Sequence, residues 1–187
     1  MENLLRRPAL AAVLLLALAG ARLHAQAKYT ASRAGDLQIG LTYSSANANY
    51  EYVHNRIAGI GGYADFDIRA HLGFEFTLHQ LDDPNSAVYQ RTYEFGVRAP
   101  LHLKFCEPYA RASVGRGVLN FPKNDANLAY NMLAGAAGAD FAVHPRVNVR
   151  AEFEYEYWLS TPGSGLHITP SALTVGVAYH FGPGTPH

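Results

Sequence analysis

One cysteine, one tryptophan and two methionines in 187 residues exclude several familiar chemistries. The lone thiol, Cys106, can close no internal disulfide and forms no zinc-binding cysteine pair. Set between "KF" and "EP", it reads as an incidental turn residue rather than a nucleophile. Net charge is missing too, since 15 Lys and Arg balance 15 Asp and Glu. Phosphate backbones need a basic surface, so nucleic acid is not an expected partner. Beyond residue 27 there is no long apolar run, and no stretch keeps helical spacing over three turns. What composition leaves is a chain long enough for one sizeable core.

The first 27 residues form a distinct segment. Arg6 and Arg7 precede an apolar run from Pro8 to about Ala21, and small residues follow. That is the layout of a secretory signal peptide with an Ala-x-Ala site at Ala25–Ala27; cleavage after Ala25 fits nearly as well. The run is too short to cross a bilayer comfortably as a helix. A signal at 1–27 leaves 28–187 as a single domain with a short tail, 182–187. No cysteine follows the run to carry a lipid.

Alternation with a period of two recurs through the rest. It is clearest in "DLQIGLTYS", "GGYADFDI", "LGFEFTLHQ", "YQRTYEFGVRA", "PYARASVG", "NMLAGAAGADFAV", "VNVRAEFEYEYW" and "ALTVGVAYHF". Successive side chains of a strand point to opposite faces, so each segment has one apolar face and one polar face. Leu37, Ile39, Leu41 and Tyr43 share a face, as do Phe74, Phe76 and Leu78, and Val149 through Tyr157. The opposite faces carry charges in mid-strand beside glycines and other small residues, as though packed into a confined space. A solvent-facing sheet has no need of those glycines.

The connections point the same way. Strands two and three meet at Arg69-Ala70-His71, and six and seven at His144-Pro145-Arg146. Ala46–Arg56, Asp82–Ala87, Gly117–Asn127 and Ser160–Ser171 are longer and polar, and Pro100–Glu107 is intermediate. Tight turns at one end and longer loops at the other are the asymmetry of outer-membrane barrels. The expected fold is all-β: an eight-stranded antiparallel up-and-down transmembrane barrel. Closure removes the unpaired edges that lipid forbids. In this reading the aromatics of "VNVRAEFEYEYW" face lipid, while Arg150, Glu152, Glu154 and Glu156 face the interior. Trp158 falls in interior phase at the rim, with its aim left open.

The stretch "GADFAVHPRVNVRAEFEYEYW" and the ending "ALTVGVAYHFG" resemble the last strands of the OmpA/OmpX-like outer-membrane β-barrel family. The resemblance covers about Asp36 to Phe181 and is strongest after Gly138. Thr174, Gly176, Tyr179 and Phe181 match that family's assembly signal, which implies the barrel-assembly machinery as a partner. The tail "GPGTPH" departs from the pattern, because family members often end at the aromatic or continue into a periplasmic domain. The resemblance further implies a monomer in the outer membrane of a Gram-negative-type bacterium, among lipid and lipopolysaccharide.

The expected interior network is Asp65, Asp67, Glu75, Glu94, Arg98, Arg111, Asp140, Arg150, Glu152, Glu154, Glu156 and His180, with His79 able to add charge. In a barrel of this size side chains largely fill the lumen, so a plug of ion pairs is expected in place of a pore. Glu152 and Arg150 should lie near Arg98 and Arg111, with Glu154 and Glu156 closer to the outer opening. The expected role is non-enzymatic: envelope structure or surface interaction, through a ligand that the loops do not identify. Because acids outnumber bases, a narrow cation-preferring pore is the alternative. A lipid A-modifying enzyme is the distant third. Its best candidate base, His167 near Thr169 and Ser171, lacks the "HxSN" surroundings of the deacylases. No two histidines share metal-ligand spacing on one face, and neither metal nor cofactor is expected. Arg91, the one clear outward charge, is the candidate lipid headgroup contact.

Overall fold

The computed structural model describes residues 36–47, 56–85, 87–121, 126–159 and 168–181. Eight strands follow in chain order: β1 Asp36–Asn47, β2 Arg56–Arg69, β3 Leu72–Asp82, β4 Tyr89–Pro100, β5 Glu107–Phe121, β6 Ala126–His144, β7 Val147–Leu159 and β8 Ser171–His180. Each pairs antiparallel with the next, and β8 returns to β1 to close the barrel. Backbone donors and acceptors along the ladders thus find partners on both sides, and no strand is left as an edge among the described residues. Ala70–His71 and Pro145–Arg146 are two-residue turns at one end, the turn end, where residues 101–106 also lie. The connections at the other end, the loop end, run through 48–55, 83–88, 122–125 and 160–170.

The two faces are the reverse of a soluble protein's. Leu41 is 76% exposed and Ile60 71%, whereas Arg98, Arg150 and Glu154 are at 1% or less. An outer belt of Leu, Ile, Val, Phe and Tyr is stable only against lipid, since in water it would be a very large apolar patch.

Glycines on the inner face make room for large side chains. A Cβ at Gly117 would stand inside the indole of Trp158, and one at Gly138 would meet the Tyr109 hydroxyl at 2.7 Å.

Toward the loop end the pattern inverts. Ile57, Leu81, Leu119, Met132, Trp158 and Ile168 point inward at 1–2% exposure and form one apolar cluster with Ala46 and Ala172. The outward positions there mix polar residues, Arg56, Gln80, Arg91, Arg116 and Asn131, with apolar ones such as Ile60, Val118 and Leu159. At this level the inner face is dry and the outer face mixes polar with apolar side chains.

That inversion corrects several expected boundaries. Gly117–Asn127 is not all loop: β5 runs on to Phe121 and β6 begins at Ala126. Likewise β2 starts at Arg56, five residues before "GGYADFDI". Where the inner face changes from charged to apolar, the polar–apolar contrast between faces fades, although the strand itself continues. The 1–27 segment and the 182–187 tail lie outside the described residues.

Candidate functional site

The charged interior is built on three guanidinium groups, each on a different strand. Arg150, on β7, is the lower hub. Its Nε donates to Asp140 Oδ1 at 2.8 Å, Nη1 to Glu75 Oε2 at 2.9 Å and Nη2 to Asp65 Oδ2 at 2.6 Å. Tyrosine rings hold its plane: the guanidinium carbon lies 3.7 Å from the Tyr63 centroid and 4.7 Å from that of Tyr109. Arg98, on β4, donates to Asp140 Oδ2 at 2.5 Å and reaches Glu107 at 3.3 Å. It lies 4.2 Å from the Tyr109 centroid.

Arg111, on β5, is the upper hub. It pairs with Glu75 at 3.0 Å, Glu94 at 3.1 Å and Glu152 at 3.0 Å, and with Glu154. Glu75 therefore joins both hubs. Tyr109 donates its hydroxyl to Glu152 at 2.5 Å, Thr77 donates to Glu75 at 2.9 Å, and Ser113 donates to Glu94 at 2.7 Å. Above this layer Glu156 accepts the indole N–H of Trp158 at 2.6 Å. The apolar cluster then closes the loop end. Charges so far from water are tolerated only when paired and hydrogen-bonded, which explains why each guanidinium spans several carboxylates.

Of the residues expected in the interior, Asp65, Glu75, Glu94, Arg98, Arg111, Asp140, Arg150, Glu152, Glu154 and Glu156 are all buried inside the barrel. Asp67 and His180 are partly buried toward the turn end, where Asn148 lies 2.6 Å from His180 Nε2. Thr174 points inward, with its hydroxyl 2.8 Å from that of Ser44, and Gly176 fits against the Leu41 carbonyl and the Thr42 methyl. Tyr179 and Phe181 are exposed and pack edge to face, 5.1 Å apart. Arg91 takes an outward position, donates to Gln80 at 2.6 Å and lies 5.5 Å from the Tyr89 centroid. His167 lies outside the described residues.

The sequence reading missed Tyr63 and Tyr109, although both stand in inward phase beside residues whose phase was assigned. It also missed Arg116, a second outward arginine just past the end of "PYARASVG". His79 comes together with Glu94 and Glu154, which offer ligand atoms within 4.8 Å of one another. No sequence spacing could have signalled that trio, because three different strands supply it.

Residues 11–181 match the outer membrane protein β-barrel domain. The chain belongs to that family. The match spans all eight strands, so the barrel domain sits in the outer membrane of a Gram-negative bacterium with its apolar belt in the lipid. Among solved structures this barrel domain is similar to the neisserial surface protein NspA, at 17% identity and a TM-score of 0.60, covering 79% of this chain and 97% of that one. OprG of Pseudomonas aeruginosa matches at 13% identity and a TM-score of 0.60, covering 80% and 97%. Ail, the attachment invasion locus protein of Yersinia pestis, matches at 15% identity and 0.54, covering 79% and 99%. At such identities the likeness establishes the fold and nothing finer. No curated protein matches the sequence. In barrels of this family the short turns face the periplasm, which makes the loop end the outer one.

Proposed function

We propose that this barrel is a sealed, non-enzymatic outer-membrane protein that serves envelope structure or surface interaction. The observation that carries the reading is the double closure of its lumen: the Arg150 and Arg111 layers below, and the Trp158 cluster above. His79, the buried histidine among the described residues, sits beneath that cap, where no lipid acyl group can reach it. One observation favours a second reading, a narrow cation passage. Seven buried strand carboxylates, Asp65, Glu75, Glu94, Asp140, Glu152, Glu154 and Glu156, face three buried arginines. Single-channel recording in a planar bilayer separates the two, comparing the unaltered barrel with one carrying Glu152→Gln and Arg150→Gln. The sealed barrel gives no conductance, and the variant is mainly less stable. Steady cation-preferring current that changes in the variant would make the acidic interior a passage.

The outer rim supplies the lipid contact in this proposal. Arg91 and Arg116 stand on adjacent strands at outward positions, opposite Val118 and Tyr93 respectively. They lie where the outer face turns from apolar to polar, the level of the anionic headgroups of lipopolysaccharide, and long arginine side chains can reach a phosphate from there. Thermal unfolding in phosphatidylcholine vesicles with and without lipopolysaccharide tests the pair. Lipopolysaccharide is expected to raise the midpoint by about 2–4 °C. Most of that gain should vanish in an Arg91→Ala, Arg116→Ala barrel. An equal gain in both proteins rules out the contact.

A further inference from the structure

The upper interior is short of positive charge. Glu94 and Glu154, in the Arg111 layer, and Glu156, between that layer and the apolar cap, are all at 2% exposure or less. The guanidinium that serves Glu94 and Glu154 is Arg111, which is shared with Glu75 and Glu152. Carboxylates withdrawn from water without full compensation cost several kcal/mol each. Something positive must complete this chamber, either protons or a cation.

The atoms left without partners point to a cation. Glu94 Oε2 accepts from Arg111 and Ser113, and its Oε1 has no hydrogen bond. Glu154 Oε2 accepts from Arg111, and its Oε1 has none. The Nε2 of His79, a residue 2% exposed, is unpartnered as well. These are the three residues whose ligand atoms lie within 4.8 Å of one another. A proton on either carboxyl group would satisfy at most one more acceptor. A metal ion satisfies all three residues together. In a tetrahedral site with zinc–nitrogen and zinc–oxygen bonds of about 2.0–2.2 Å the ligand atoms lie about 3.4 Å apart, so the three side chains close on the ion by rotating inward by about 1 Å.

We propose that His79, Glu94 and Glu154 hold one divalent cation of the borderline class, with Zn²⁺ the best match, inside the barrel beneath the Trp158 cap. An imidazole with two carboxylates suits such a metal, whereas Ca²⁺ and Mg²⁺ take all-oxygen sites. The surroundings fit the ligands closely. Gly61 leaves room for the imidazole, since a Cβ there would collide with the His79 ring and come 2.6 Å from Thr42 Oγ1. Gly115, paired with Glu94 across β4 and β5, leaves room for that side chain, with its Cγ 3.0 Å from where a Cβ would stand. The ligands come from β3, β4 and β7, so they meet only when the barrel closes. The cap then blocks exchange, which makes the ion a cross-lumen staple acquired during folding.

The test refolds the full chain into detergent micelles with Zn²⁺, or with Co²⁺ as a spectroscopic stand-in, and then washes with chelator. Elemental analysis should find about one metal per folded barrel, retained through the wash. Tetrahedral Co²⁺ should give visible ligand-field absorption. His79→Gln and Glu154→Gln barrels, judged folded by their heat-modifiable gel mobility, should retain none. Folded unaltered protein that keeps no metal and shows no Co²⁺ band overturns the site and assigns neutralisation to protons. Retention unchanged in both folded variants also overturns it, by placing the metal elsewhere. If neither variant folds, the Co²⁺ spectrum of the unaltered barrel decides alone: nitrogen–oxygen tetrahedral bands support the site, and six-coordinate aquo-type bands overturn it.

Discussion

Arg111→Met is expected to destabilise the folded barrel by about 3–5 kcal/mol, the cost of breaking a buried ion pair from one side. The size follows from what is left behind. Glu75, Glu94, Glu152 and Glu154 all bond this one guanidinium, and the bond lines run to β3, β4 and β7. Methionine fills much of the volume, so the loss comes from charge and not from a cavity. In barrels refolded without metal, adding Glu94→Gln and Glu154→Gln should recover a large part of the loss, since two of the stranded charges disappear with it. Urea unfolding in micelles, followed by the fluorescence of Trp158, the single tryptophan of the chain, measures both steps. A loss below about 1 kcal/mol would mean that water reaches these carboxylates and screens them, as at a protein surface. The sealed reading would then fall and the cation passage would gain.

How much of this was legible in the sequence depended on contrast between the two faces of a strand. In β7 the glutamates at 152, 154 and 156 alternate with Phe153, Tyr155 and Tyr157, so phase, fold and interior could be read together. Near the loop end the same strands carry apolar residues inward and a mixture of polar and apolar ones outward. Gly117 and Leu119 alternate with Arg116 and Val118, and the result looks like ordinary loop composition. Tyr63 and Tyr109 were missed for a different reason. An aromatic residue in a barrel strand reads as lipid-facing by type, and only its phase puts it inside, where the ring supports Arg150 or Arg98. Part of the pairing was legible, since Glu152 was expected near Arg111 and the two do pair; the contacts that cross the lumen were not, as with Arg150 to Glu75, 75 residues apart in the chain.

Trp158 is where the two kinds of interior meet, and Trp158→Ala is expected to cost about 3–5 kcal/mol, as for other buried aromatic truncations. The indole is 1% exposed, packs against the apolar cluster and lies 6.3 Å from the Tyr130 ring. Gly117 keeps the space that the indole fills and has no side chain of its own to take up the void. A second loss adds to the cavity. Glu156 Oε2 would keep only Gln90, at 3.4 Å, in place of the indole donor. Circular dichroism of urea unfolding measures the cost without relying on the tryptophan that has been removed. Conductance sharpens the result. Removing the cap alone should leave the barrel electrically silent, because the Arg111 and Arg150 layers still close the lumen below it. The two closures are in series, so a barrel that leaks only when both are broken has two independent seals. A Trp158→Ala barrel that conducts steadily by itself would show that ions already move between those layers, with the indole as the one true gate.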